Sequence, residues 1–115
     1  MKSTDVVTAL SALAHESRLA VFRLLVRRGP QGMAAGEMAE RLGIPPATMS
    51  FHLSQLSHAG LVSSRREGRS IIYSADYPRM DALVGFLMDN CCAEQPGECC
   101  PTPTERTKKG KEERR

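Results

Sequence analysis

Gly43-Ile44-Pro45-Pro46 stands between two short segments whose apolar residues recur at helical spacing, and this break constrains the fold more than any other feature. Upstream, from about Ala35 to Leu42, Met38 and Leu42 lie one turn apart and face inward, until Gly43 ends the helix. Downstream, Pro45 or Pro46 suits a first helical turn, where a missing N–H costs nothing. Met49, Leu53 and Leu56 then repeat on one buried face up to Ala59-Gly60. A short helix, a glycine turn and a second helix follow. Thr48, Ser50, Phe51, His52, Ser54 and Gln55 are left pointing outward or sideways. A helix with small polar side chains early on its outer face can lie in the major groove of DNA, its first residues at the base edges. Thr48, Ser50, Phe51, His52 and Gln55 are the candidate contacts.

The flanking segments complete the architecture. Ser3 or Thr4 can cap a first helix carrying Val6, Val7, Leu10 and Leu13. A second opens near Glu16-Ser17, carries Leu19, Phe22, Leu25 and Val26, and stops at Arg27-Arg28-Gly29-Pro30, where terminal cations, Gly and Pro form a stop signal. Gln31-Gly32 is a loop. After the fourth helix, residues 61–65 and 70–74 read as a hairpin turning at Arg66-Glu67-Gly68-Arg69, with Gly68 supplying positive φ. Asp76 and Pro78 open a fifth helix to about Asn90, striped by Met80, Leu83, Val84, Leu87 and Met88. The expected class is mainly α (α+β): a winged helix-turn-helix of five helices and a two-stranded β-wing. Arg65, Arg66 and Arg69 on the hairpin would meet phosphates or the minor groove. The plainer alternative is a small α+β domain with ordinary surface arginines.

Charge adds little to that choice. The formal net charge of +3 arises in residues 105–115, which hold six basic and three acidic side chains and leave ten of each sign in residues 1–104. Aromatic content of 4% disfavours base stacking on single strands. The N-terminus carries no apolar signal region, and no apolar run approaches the ~20 residues of a membrane span, so a cytoplasmic, membrane-free location is expected. The expected organisation is a DNA-binding and dimerisation domain over residues 1–90, a cysteine-rich segment over 91–100 and a disordered basic tail over 101–115, where Pro101, Pro103 and charge dominate.

All four cysteines fall in Cys91-Cys92-Ala93-Glu94-Gln95-Pro96-Gly97-Glu98-Cys99-Cys100. In a cytosolic chain such a cluster is more often metal-binding or redox-active than a structural disulfide. Thiolates are soft ligands for thiophilic centres. Adjacent Cys91 and Cys92 can hold one centre if the backbone bends, and Pro96-Gly97 can turn the chain back to deliver Cys99 or Cys100. Structural zinc pairs usually leave two to four residues between cysteines, so zinc fits less well. A thiol redox switch remains open.

Ala12-Leu13-Ala14-His15-Glu16-Ser17-Arg18-Leu19, the stretch from Gly43 through Leu56, Ala59-Gly60-Leu61-Val62 and the hairpin Arg66 to Tyr73 together resemble the ArsR/SmtB family over roughly residues 5–90. The resemblance implies a homodimeric transcriptional repressor that leaves operator DNA when an inducer binds, with the first and last helices forming the dimer interface. Leu10, Met80, Leu83, Val84 and Leu87 are its candidates. The family's Cys-x-Cys site on the third helix is absent here, where residues 37–42 contain no Cys. Its Asp/His site on the last helix lacks histidine in residues 77–90, although Asp81 and Asp89 are present. Some members that respond to trivalent arsenicals carry a cysteine cluster just after the last helix, including an adjacent Cys-Cys pair, and this chain looks most like them. The implied inducer is As(III), inorganic or methylated, or Sb(III), bound by Cys91, Cys92 and either Cys99 or Cys100, with no catalytic cofactor. Redox sensing and sensing of another metal are the alternatives. His15 reads as structural or solvent-facing, and His58 as a complement to its helix dipole. An enzyme lacks support: there is no Cys-x-x-Cys in a βαβ setting, no phosphate-cradling glycine loop and little chain to build a substrate pocket.

Overall fold

The computed structural model describes residues 1–94. Within them the order is α1 (Ser3–Leu13), α2 (Glu16–Arg28), β1 (Met33–Ala34), α3 (Ala35–Leu42), α4 (Pro46–His58), β2 (Val62–Glu67), β3 (Ser70–Ala75) and α5 (Tyr77–Met88). The wing is an antiparallel hairpin in which Glu67 pairs with Ser70, so its loop is only Gly68-Arg69. Gly68 takes φ +62°, the left-handed conformation that a two-residue hairpin asks of its first loop residue when that residue is Gly.

The sheet has one strand more than the sequence suggests. Met33 and Ala34 pair with Tyr73 and Ile72, giving the order β1-β3-β2. Two residues are too few to show alternation, which is why this strand escapes sequence reading. Gly32 makes the approach possible: at φ +72° any β-carbon there would collide with the Tyr73 carbonyl oxygen.

Leu25, Met33, Met38, Met49, Leu53, Leu56, Leu61 and Val21 are fully enclosed, so α4 buries its inner face between α2, α3 and the sheet. Helix α1 packs by Val6, Ala9 and Ala12, whose small size lets it lie close, with Leu13 half-buried. Val7 and Leu10 point away, contrary to the expected face. Its N-cap is Lys2 and not Ser3 or Thr4; the Lys2 backbone N–H donates to the Asp5 carboxylate at 3.2 Å. In α2 the buried residues are Val21, Phe22, Leu24 and Leu25, whereas Leu19 stays exposed.

Helix α5 is fixed at its start. Asp76 caps it by accepting the Arg79 N–H at 3.0 Å, and the Tyr77 hydroxyl donates to the Val26 carbonyl at 2.9 Å. The helix ends at Met88, two residues before the expected Asn90. Of its stripe, Leu83 is buried and Met80 packs on the core within the single chain, while Val84 and Leu87 remain 44% and 57% exposed. Leu83 and Met80 are thus core residues first. No helix among the described residues is long and apolar enough to cross a membrane.

Candidate nucleic-acid interface and thiol pair

The turn between α3 and α4 is set by Gly43 at φ +65°, ψ +33°, with the Ile44 N–H donating back to the Ala39 carbonyl at 3.0 Å. A left-handed residue with this hydrogen bond closes a helix and redirects the chain sharply. Helix α4 then starts with Pro46 in its first turn. Met49, His52, Leu53 and Leu56 face the core, and Ala47, Thr48, Ser50, Phe51, Ser54 and Gln55 are exposed. Thr48, Ser50, Phe51 and Gln55 therefore lie where a groove-binding helix presents its side chains.

His52 does not. It is 4% exposed, and its ring sits 4.9 Å from the His15 ring, centroid to centroid. Its buried Nδ1 has no hydrogen-bond partner among the described residues. Burial, with smaller contributions from His15 and Arg18, holds its pKa below the ordinary value. The expected DNA contact is corrected to a neutral core residue that joins α4 to the start of α2. The signal was present: His52 follows Met49 by three residues and precedes Leu56 by four, which puts it on the apolar stripe. His15 itself caps α2, its Nδ1 accepting the Ser17 N–H at 3.2 Å.

The wing arginines divide in two. Arg65 donates through Nε to Glu67 at 2.8 Å, through Nη2 to the Gln31 carbonyl at 2.6 Å and through Nη1 to the Pro30 carbonyl at 3.4 Å. Its guanidinium is committed to bracing the hairpin against the α2–β1 loop, which corrects its placement among the phosphate contacts. Arg66 and Arg69 are exposed at the hairpin end, and neither belongs to an ion pair among the described residues.

After Met88 the chain coils. Asn90 and Cys92 take φ of +59° and +60°, and the Cys91 N–H reaches the Met88 carbonyl at 3.1 Å. Left-handed conformations at non-glycine residues are uncommon. This bend brings the Cys91 and Cys92 sulfurs to 3.6 Å, too far for a disulfide bond. Two thiolates sharing one ion at about 2.3 Å each would stand roughly 3.3–3.8 Å apart for bond angles near 90–109°. That range includes 3.6 Å, so both sulfurs could reach one ion without a large movement. Cys91 is exposed and Cys92 half-buried. No group of three or more His, Cys, Asp or Glu among the described residues is arranged to hold an ion. Cys99, Cys100 and the expected tail lie outside the described residues.

The sequence pattern of a helix-turn-helix domain matches residues 13–65. The nodulation protein NolR of Rhizobium meliloti is 36% identical over 80 residues, covering 70% of this chain and 63% of that protein. A probable mercury resistance operon repressor of Streptomyces lividans is 38% identical over 96 residues, covering 76% of this chain and 74% of that one. Among solved structures, an ArsR-like transcriptional regulator from Rhodococcus sp. RHA1 superposes with a TM-score of 0.68 at 26% identity, covering 79% of this chain and 82% of that one. A homodimeric winged helix-turn-helix DNA-binding domain from Mycobacterium bovis, described as a possible ArsR-family regulator, gives a TM-score of 0.60 at 29% identity, with 84% and 89% covered.

Proposed function

Because the chain belongs to the ArsR/SmtB family of DNA-binding winged-helix regulators, we propose that it is a homodimeric operator repressor induced by a trivalent arsenical or antimonial at the cysteines after α5. The observation that carries the inducer assignment is the thiol pair at 3.6 Å, held on a left-handed bend immediately beyond the last helix. Cys91 and Cys92 supply two soft ligands, and Cys99 or Cys100 the third. In this reading residues 1–90 bind DNA and dimerise, residues 91–100 take up the inducer, and residues 101–115 are a basic tail in a cytoplasmic protein.

Dimerisation uses what a single chain leaves uncovered. Val7 and Leu10 on α1 and Val84 and Leu87 on α5 are exposed apolar side chains, and the homodimeric Mycobacterium bovis relative supports covering them with a second copy. Two recognition helices then enter successive major grooves about 34 Å apart, on an imperfect palindrome. Thr48, Ser50, Phe51 and Gln55 meet bases, and Arg66 and Arg69 meet phosphates. Inducer uptake reorganises the end of α5, changes the angle between subunits and spoils that spacing. By linkage, operator DNA weakens inducer binding by the same factor.

A second reading has one observation in its favour: the Streptomyces lividans relative is named for mercury resistance. Mercury is also thiophilic, but a linear dithiolate centre needs its sulfurs on opposite sides of the ion, farther apart than 3.6 Å. The test is direct binding of arsenite, antimonite and mercuric ion to the reduced full-length protein, followed by near-ultraviolet thiolate absorption. One arsenite per thiol site, lost in Cys91→Ser and Cys92→Ser, supports the proposal. Uptake of mercuric ion alone would replace it with the mercury reading.

A further inference from the structure

Phe51 is the one large apolar side chain on the outer face of α4, and it is 56% exposed. Its helical neighbours on that face are Ala47 and Thr48 one turn before and Ser54 and Gln55 one turn after, all exposed. Three of them are small, so the ring protrudes from a low surface. Leaving a phenylalanine in water forgoes the free energy of burying its ring. Single exposed apolar side chains are ordinary on protein surfaces, so it is the placement of this one on the outer face of α4 that carries the argument. Phe51 is also the sixth residue of the helix that starts at Pro46, within the N-terminal half that reaches base edges in helix-turn-helix proteins.

What such a ring can recognise in the major groove is limited. Guanine, cytosine and adenine present donors and acceptors there, which an apolar ring desolvates without replacing. Thymine alone presents an apolar group, its C5-methyl. We infer that Phe51 is a specificity-determining residue that selects thymine at one position of each operator half-site by packing on this methyl group. The inference rests on the operator-binding reading above and deepens it; it is independent of which inducer the thiols bind. Thr48, Ser50 and Gln55 supply hydrogen bonds around it, and Phe51 fixes the thymine.

The test begins with duplexes enriched from a random-sequence pool by the reduced full-length protein. Each thymine of the enriched site is replaced singly by deoxyuridine, which removes only the methyl group. Expected is a loss of about fourfold at one thymine per half-site, the worth of one buried methyl, and little change elsewhere. Phe51→Ala should bind thymine and deoxyuridine equally at that position, and Phe51→Leu should keep part of the preference. Placing 5-methylcytosine there, paired with guanine, should retain more affinity than cytosine. Indifference of the wild-type protein to every methyl deletion, or an unchanged preference in Phe51→Ala, would overturn the assignment while leaving operator binding intact. Failure to enrich any sequence would overturn operator binding and this assignment with it. Because Phe51 is exposed, both variants should keep the wild-type helical circular dichroism.

Discussion

The Arg79 guanidinium lies against the backbone at Gly60, so close that a β-carbon at position 60 would sit 3.0 Å from Nε and 3.4 Å from Cζ. Gly60 ends the recognition helix at φ +78°, where the Leu61 N–H returns to the Leu56 carbonyl at 3.0 Å. The Asp76 N–H in turn donates to the Leu61 carbonyl at 2.9 Å. The end of α4 and the start of α5 are thereby joined over a few residues. Gly60→Ala should cost about 1–2 kcal/mol for the left-handed conformation alone. Adding Arg79→Ala should relieve the crowding and leave that backbone cost, because the buried Arg79 Nε has no hydrogen-bond partner among the described residues to lose. Urea denaturation of the single and double variants checks both statements.

His52 gives the fold a pH dependence with a definite sign. Its pKa is depressed in the folded chain, chiefly by burial and then by His15 and Arg18, so the unfolded chain binds the proton more readily. Its contribution to stability is fully present above the ordinary value of 6.5 and falls as pH drops through 6.5 toward the depressed value. Replacing it by Gln should reduce the loss of stability between neutral and mildly acid pH. Denaturation midpoints measured on both sides of this window test it, and an unchanged slope would remove His52 as the source.

The two classes of wing arginine should separate by salt. Arg66→Ala or Arg69→Ala should lower operator affinity across many sequences and reduce the logarithmic salt slope by about one for each phosphate left unneutralised. Arg65→Ala should weaken binding through a loosened hairpin, since its partners are Glu67, Gln31 and Pro30, and leave the slope unchanged. Anisotropy titrations at several salt concentrations distinguish these outcomes.

Leu87 is exposed in the single chain, so a charge there should spare the monomer fold and block pairing. Leu87→Glu should weaken dimerisation by about two to four orders of magnitude, the effect of burying an unpaired charge. Sedimentation equilibrium reads the association, and circular dichroism confirms the fold.

Much of this architecture was legible because its signals are local. Gly43 with two prolines marks the helix-turn-helix, and Gly68 marks the hairpin. The arginines and glycine after Val26 mark the end of α2. The errors arose where a residue's role depends on distant chain. Arg65 reads as a surface cation, yet its carbonyl partners are 34 and 35 residues away. Leu83 reads as interface and is already buried within the single chain, because the stripe on α5 is wide enough to face both the core and solvent. Strand β1 depends on Gly32 fitting under Tyr73, an approach without local pattern. The thiol pair and its need for a backbone bend were visible in the sequence, but not that Asn90 and Cys92 supply the bend through positive φ.

On the proposed function the cysteines after α5 release the protein from DNA. This is read most directly by fluorescence anisotropy of the reduced protein on its own promoter DNA, titrated with arsenite, methylarsenite, antimonite, mercuric ion, zinc and peroxide. Release by the trivalent arsenicals or antimonite is expected, with zinc and peroxide inert. The double variant Cys91→Ser, Cys92→Ser should keep operator affinity and no longer respond. Tight binding that only peroxide reverses, or loss of operator binding in the double variant, would contradict this function.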